Sequence, residues 1–348
     1  MQDRLRQETR TVWATAIAFV LGAGIGAVVL RGGARPLDGP GGASGPIAGI
    51  AAGIAAAAFV ISSLQNRRGE TRPMPPWQAT VSHLSAAALT VAVAAVSALG
   101  VLLAGVILTQ GLQGFALSPL GGALLCGVAA ATGGRFAYTA GVGVRTRDLS
   151  TLLFGFLTIG TLFAMATAAD PLWWERNFSQ LGLGVGGWAF NGTLIVAGLL
   201  FATIGSYIGR DLHRLLGDER LRRIATVVVL WASTGVALAG VGVVPITLDR
   251  AVHWVAAIGT LVLFAAAALS TAFALPGPPT AILVTTIGLG PSFAGAILLC
   301  VPLGVYSATG LEAVAVGLGL VWMTTFVRVL AVLVPDVSRP SARASLRG

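Results

Sequence analysis

TVWATAIAFVLGAGIGAVVL, Thr11 to Leu30, is a run of twenty residues without one charge. A helix rises 1.5 Å per residue, so about twenty residues cover the hydrocarbon core of a bilayer, roughly 30 Å thick. The run follows MQDRLRQETR, whose charges imitate the start of a secretory signal. Its apolar part is too long for that and no A-x-A-like cleavage site comes after it, so it reads as a first membrane span.

The same pattern recurs along the chain. Of 348 residues 55% are hydrophobic and only 10% charged, with a mean hydropathy of +0.86 and 47 glycines. No soluble domain of ordinary composition looks like this. A transmembrane β-barrel is excluded, because its strands would alternate apolar and polar residues at about half this length. Apolar runs predict ten helices, near 11–30, 44–64, 83–109, 118–142, 150–168, 187–208, 224–244, 252–274, 280–300 and 311–334. The expected fold is therefore all-α, a polytopic transmembrane helical bundle of about ten spans. Pro276 to Pro279 separates the eighth helix from the ninth, since proline lacks the donor that a helix needs.

All 22 basic residues are arginine, a usage that reads as a GC-rich bacterial genome. Seventeen lie on the N-terminal side of the predicted spans, four (Arg31, Arg35, Arg176 and Arg250) on the other, and Arg135 within a span. The positive-inside rule then puts both termini in the cytoplasm of a plasma (inner) membrane. Arginines beside spans set topology, so the net charge of +9 is no sign of a nucleic-acid partner. The loop GRDLHRLLGDERLRR, Gly209 to Arg223, holds the largest charge cluster and reads as a solvated anchor facing anionic lipid.

Composition shifts near residue 145, giving a four-helix region over 1–145, a six-helix region over 146–334 and a disordered cytoplasmic tail over 335–348. In the first region Gly22 and Gly26, and Gly45, Gly49 and Gly53, are spaced to let helices approach. The runs around Gly22 and Gly182 imitate dinucleotide loops without the strand such loops follow. Cys126 and Cys300 both fall in spans and read as small core residues. His83, His213 and His253 lie at different depths or sides, so neither a metal site nor a cofactor is expected.

The connector DPLWWERNFSQLG, Asp170 to Gly182, is where polar residues gather on the outer side. With it come Asn191, Asp249, Arg250, His253 and Glu312. Asp249 and His253 are four apart at a helix start, so they share a face. Either the carboxylate orients the imidazole, or Asp249 caps the helix while a neighbouring helix holds His253. Asn191, one turn into the sixth helix, needs a partner, whether an interhelical hydrogen bond or a ligand. Trp173, Trp174, Trp188 and Trp254 fit an interfacial aromatic belt. Glu312 follows a helix start, where an anion is favoured for electrostatic reasons alone. Ser179, His253 and Asp249 can be drawn as a triad, although Ser179 has no nucleophile-elbow context.

The ordered segments FSQLGLGVGGWAFNGTLIVAGLL (178–200), GVVPITLDRAVHWVAA (242–257) and GLEAVAVGLGLVW (310–322) resemble the DUF998 family of membrane proteins, itself similar to the Frag1/DRAM/Sfk1 group. The matching positions are Ser179, Leu181, Gly182, Phe190, Asn191, Gly242, Pro245 and His253, within a resemblance over 146–334 and with four extra spans before it. The last segment lacks the Glu-Arg pair of that family near the final helix. The resemblance implies a six-span bundle and, through eukaryotic members, lipid remodelling or phospholipid distribution.

Three functions follow from these residues. The first is an outer pocket for a lipid or similar amphiphile headgroup, with Arg176 and Arg250 on phosphate, Asn191 and His253 as hydrogen-bonding groups, Glu175, Ser179, Asp249 and Glu312 beside them, and tryptophans along the acyl region. The partner would then be membrane lipid. The second is a lipid hydrolase or transferase with Asp249 or Glu175 as base and His253 as its partner. The third is a transporter of a small amphiphile, for which Arg135 and Glu312 are the only ionisable residues within reach of mid-membrane.

Overall fold

The computed structural model describes residues 2–68, 76–275 and 277–334. The tail at 335–348, and with it Arg339, Arg343 and Arg347, lies outside the described residues, as do Arg72 and Pro276. Among the described residues ten helices are long and apolar enough to cross a bilayer, with mean hydropathies of 1.3 to 2.7. The protein is a multi-pass integral membrane protein. In hydrocarbon each backbone N–H and C=O needs a partner within its own segment, which is why these apolar runs are helical. The chain divides into two compact units, Met1–Val144 and Arg145–Gly348.

The first unit contains α1 (Gln2–Val29), α2 (Ser44–Arg68), α3 (Pro76–Gly111) and α4 (Pro119–Val142). Two-residue strands, β1 (Arg35–Pro36) and β2 (Ala116–Leu117), pair antiparallel between the loops. Ser118 caps α4 by accepting from the Gly121 N–H at 3.2 Å, and Pro119 fills the first position, where no amide hydrogen is needed. α4 packs along both α1 and α2 through a face of small residues that includes Cys126, Ala130, Gly133 and Gly141. Cys126 is fully buried, whereas Cys300 is only half-buried at the end of its helix. Arg135 reaches Glu8 of α1 at 3.9 Å.

Only one of the two glycine series makes a helix contact. A Cβ on Gly26 would lie 2.6 Å from the Cys126 Cβ, and one on Gly22 would overlap Ala130 and come within 2.7 Å of the Cys126 carbonyl oxygen. Gly45, Gly49 and Gly53 instead face open space. α2 uses its other face, with Ser44, Ala48, Ala51, Ala55, Phe59 and Ser62 buried. Both faces of α2 are built from small residues, so spacing alone did not separate them. Gly22→Leu is accordingly expected to abolish a monodisperse size-exclusion peak, while Gly49→Leu leaves it intact; equal behaviour of the two variants refutes this packing.

The second unit contains α5 (Thr146–Ala166), α6 (Gly187–Leu216), α7 (Leu221–Val243), α8 (Arg250–Ala274), α9 (Thr280–Cys300) and α10 (Ala308–Leu333). Each helix packs on the next in chain order, and α10 closes back onto α5. Aromatic residues from four helices meet inside: Phe201 of α6, Trp231 of α7, Phe264 of α8, and Trp322 and Phe326 of α10. Trp231 stacks on Trp322 with centroids 6.2 Å apart. The indole N–H groups, costly if left unbonded in an apolar core, donate to Thr271 at 3.1 Å and Thr286 at 2.8 Å. Those two bonds tie α7 to α8 and α10 to α9.

α6 runs a full two turns past the end expected from its apolar pattern. The charges of Arg210, Asp211 and Arg214 therefore belong to a helix, and their side chains are only 11–13% exposed. They are not a solvated anchor. Asp211 accepts from Arg210 Nε at 3.2 Å, lies 3.6 Å from Arg214 Nη1, and accepts from the Thr146 hydroxyl of α5. The helix continues because one carboxylate neutralises its neighbours and because cations suit a helix C-terminus.

Candidate functional site

At one end of the second unit the α5–α6 connection folds over the bundle and is tied to α6, α8 and α10. Asp170 starts it by accepting from the Leu172 N–H at 2.9 Å, which forms a tight turn. Two 3-10 turns follow, Trp173–Glu175 and Phe178–Gly182. Trp173 and Phe178 pack 5.4 Å apart over Leu181, which is buried with Ala164 and Phe190. This apolar underside explains why the segment keeps a defined shape despite its polar residues.

Three hydrogen bonds then fasten the connection to distant helices. The Phe178 N–H donates to Glu312 Oε2 of α10 at 2.7 Å, and the Ser307 hydroxyl donates to the Trp174 carbonyl at 3.0 Å. Ser179 Oγ lies 2.8 Å from Nε2 of His253 on α8. His253 is only 4% exposed, and its Nδ1 lies 2.8 Å from the Val244 carbonyl oxygen. A carbonyl can only accept, so Nδ1 carries a proton, and in a neutral ring Nε2 is then the nitrogen whose lone pair faces the serine hydroxyl.

Asn191 has an intramolecular partner: its Nδ2 donates to the Gly182 carbonyl at 3.1 Å. A Cβ on Gly182 would lie 2.6 Å from Asn191 Oδ1, so glycine is what lets the turn close on the amide. Gly242 of α7 lies against the backbone carbonyl of Asn191, which holds α6 and α7 together just below Val244.

Asp249 is the cap of α8, accepting from the Ala251 and Val252 N–H groups at 2.9 and 3.0 Å. Both nitrogens of His253 are taken by Ser179 and Val244, so the carboxylate-imidazole pair suggested by the four-residue spacing does not form. Nor does Glu175 reach the histidine: its side chain is exposed and makes no hydrogen bond or ion pair among the described residues. Arg176 is exposed, with a long 3.9 Å contact to Asp170 and a 3.4 Å hydrogen bond to Gln180. Arg250, at the first turn of α8, is exposed, and its side chain bonds to none of the described residues. Trp174, Trp188 and Trp254 are about half exposed, whereas Trp173 turns inward.

Ser179, His253 and Glu312 are therefore brought together, with Asn191 supporting the turn. Phe178, Ser307 and Val244 were not among the expected site residues. Phe178 and Val244 take part through backbone atoms that every residue carries; Ser307, directly before α10, had a cap-like signal in its residue type and place.

Residues 152–329 match the model of a family described as a protein of unknown function, DUF998. The match covers just over half of the chain and contains every residue of this site. No curated protein and no solved structure matches the chain.

Proposed function

The chain belongs to the DUF998 family, and we propose that its second unit binds the headgroup of a membrane lipid or similar amphiphile at the end built from the α5–α6, α7–α8 and α9–α10 connections. The observation that carries this reading is the presence of two exposed guanidinium groups, Arg176 and Arg250, at the one bundle end where Trp174, Trp188 and Trp254 are also exposed. Guanidinium forks suit phosphate, and indoles are stable at headgroup depth. The arginine asymmetry of the chain supports an extracytoplasmic side for this end through the positive-inside rule.

The hydrogen bonds described above divide the labour among the site residues. Asn191 and His253 hold the platform in shape, because the Asn191 Nδ2 and both ring nitrogens of His253 are engaged within the protein. Arg176 and Arg250 contact the headgroup, and Glu175 offers a carboxylate to a headgroup amine. A preformed platform lowers the entropy lost on binding, which favours fastening the connection at three points.

Arg176→Ala combined with Arg250→Ala is expected to lower phospholipid retained by the purified protein about tenfold, from two charge-assisted contacts discounted for their exposure. Retention is measured by phosphate assay after detergent exchange. Unchanged retention in a folded double variant ends this reading.

A further inference from the structure

Ser179 and His253 have a geometry that headgroup binding does not require. The hydroxyl faces an imidazole nitrogen at 2.8 Å, and the opposite ring nitrogen is fixed at 2.8 Å on the Val244 carbonyl. This tautomer is the one in which Nε2 can remove the serine proton. The base is nearly fully buried, while Ser179 is half-buried at the loop surface. Glu312 fixes the loop on which Ser179 sits by accepting from the amide of the residue before it. A plain structural bond between loop and helix does not need the opposite ring nitrogen to be fixed in this way.

We propose that Ser179 is a nucleophile that accepts an acyl group from a lipid carboxylic ester, with His253 as its general base. The choice of a lipid ester rests on the headgroup-binding reading, since the ester carbonyls of a glycerolipid lie just below its phosphate; the nucleophile itself does not depend on it. In the first step the Ser179 Oγ–H proton passes to His253 Nε2 as Oγ bonds to the acyl carbon. The carbon–oxygen bond to the lipid alcohol then breaks, and Nε2–H returns the proton to the departing oxygen. In the second step water, or an alcohol acceptor, gives its proton to Nε2 and attacks the acyl-serine. The bond between the acyl carbon and Oγ then breaks, Nε2–H returns its proton to Oγ, and Ser179 is regenerated as a fatty acid or a new ester leaves. Val244 keeps the ring oriented throughout.

The test uses the full-length protein in detergent and in phospholipid vesicles. A fluorophosphonate probe is expected to add once per chain, at Ser179 by peptide mass mapping, and not to Ser179→Ala. His253→Gln should slow labelling about a hundredfold, the usual scale of general-base assistance. Ser179→Cys preserves a hydrogen-bonding group and is expected to be alkylated by iodoacetamide at that position, which shows that the site is folded and open if His253→Gln does not fold. Wild-type protein should also release fatty acid from a fluorescent phosphatidylglycerol, and Ser179→Ala should not. Absence of a Ser179 adduct in folded wild type overturns the nucleophile, and labelling as fast in His253→Gln overturns the base. An adduct without fatty-acid release or acyl transfer overturns the lipid ester as substrate. Failure of the headgroup reading shows separately, as unchanged phospholipid retention in the double arginine variant.

Discussion

Asp211→Ala is expected to be the most damaging single substitution in the second unit, costing about 3–5 kcal/mol, the usual penalty for breaking a buried ion pair from one side. The carboxylate faces Arg210 at 3.2 Å and Arg214 at 3.6 Å and also accepts from Thr146, so it joins the C-terminal turns of α6 to the start of α5. Its removal leaves two guanidinium groups close together in a setting only 11–12% exposed. The ring of Tyr207, 4.2 Å from the Arg210 guanidinium, offsets only part of that charge. In a thermal melt in detergent the midpoint should fall by about 10 °C for a unit of this size. Asp211→Asn keeps an oxygen for Thr146 and should fall less. Adding Arg210→Met to Asp211→Ala should recover part of the loss, since deleting both sides of a buried pair costs less than deleting one. A midpoint for Asp211→Ala equal to wild type would mean that this cluster is not the link between α5 and α6.

The second large effect is expected between α6 and α7. A Cβ on Gly198 would overlap the Gly235 carbonyl oxygen, and a Cβ on Gly235 would overlap the Gly198 carbonyl oxygen. About two and three turns further along, Gly205 and Gly209 lie as closely against the side chains of Trp231 and Val228. Between helices in lipid, close backbone approach supplies much of the attraction. Gly198→Leu or Gly235→Leu must push the helices apart, because the obstacle is backbone and cannot change rotamer. Overpacking a core costs about 1–3 kcal/mol, and this contact lies at or above the top of that range. The expected readout is loss of the monodisperse peak after mild heating. Gly192→Leu on the same helix meets nothing within 4 Å and is the control. The site should suffer with the helix pair, because Gly242 against Asn191 places Val244 where it orients His253. Identical peaks for Gly198→Leu and Gly192→Leu would show that the crossing does not hold the bundle together.

The spans were legible because a helix in lipid must be apolar along about twenty residues, and Thr11 to Leu30 announces that requirement unaided. The end of α6 was not, because Arg210, Asp211 and Arg214 look like a loop until Thr146 and a shared carboxylate show how their charges are buried. Gly45, Gly49 and Gly53 had the spacing of a packing face, yet the opposite face of α2 is just as small and is the one α4 covers.

In the candidate site, Ser179, Asn191 and His253 could be named from their order along the chain, and the structure gives each a hydrogen-bond partner within the protein. The partners were decided in three dimensions. Asp249, four residues from His253, satisfies the free N–H groups of its own helix, a local need that a carboxylate meets at once. Ser179, seventy-four residues away, reaches the imidazole only because Leu181, Phe178 and Trp173 bury one side of the connection and Glu312 holds its backbone. Sequence by itself determined that the chain is a helical membrane protein and which connector gathers its polar groups, since both follow from the local demands of lipid on a backbone. Which polar atoms face each other was settled only by the tertiary structure, because hydrogen-bond partners are chosen by the packing of distant helices and by backbone groups that leave no mark on residue type.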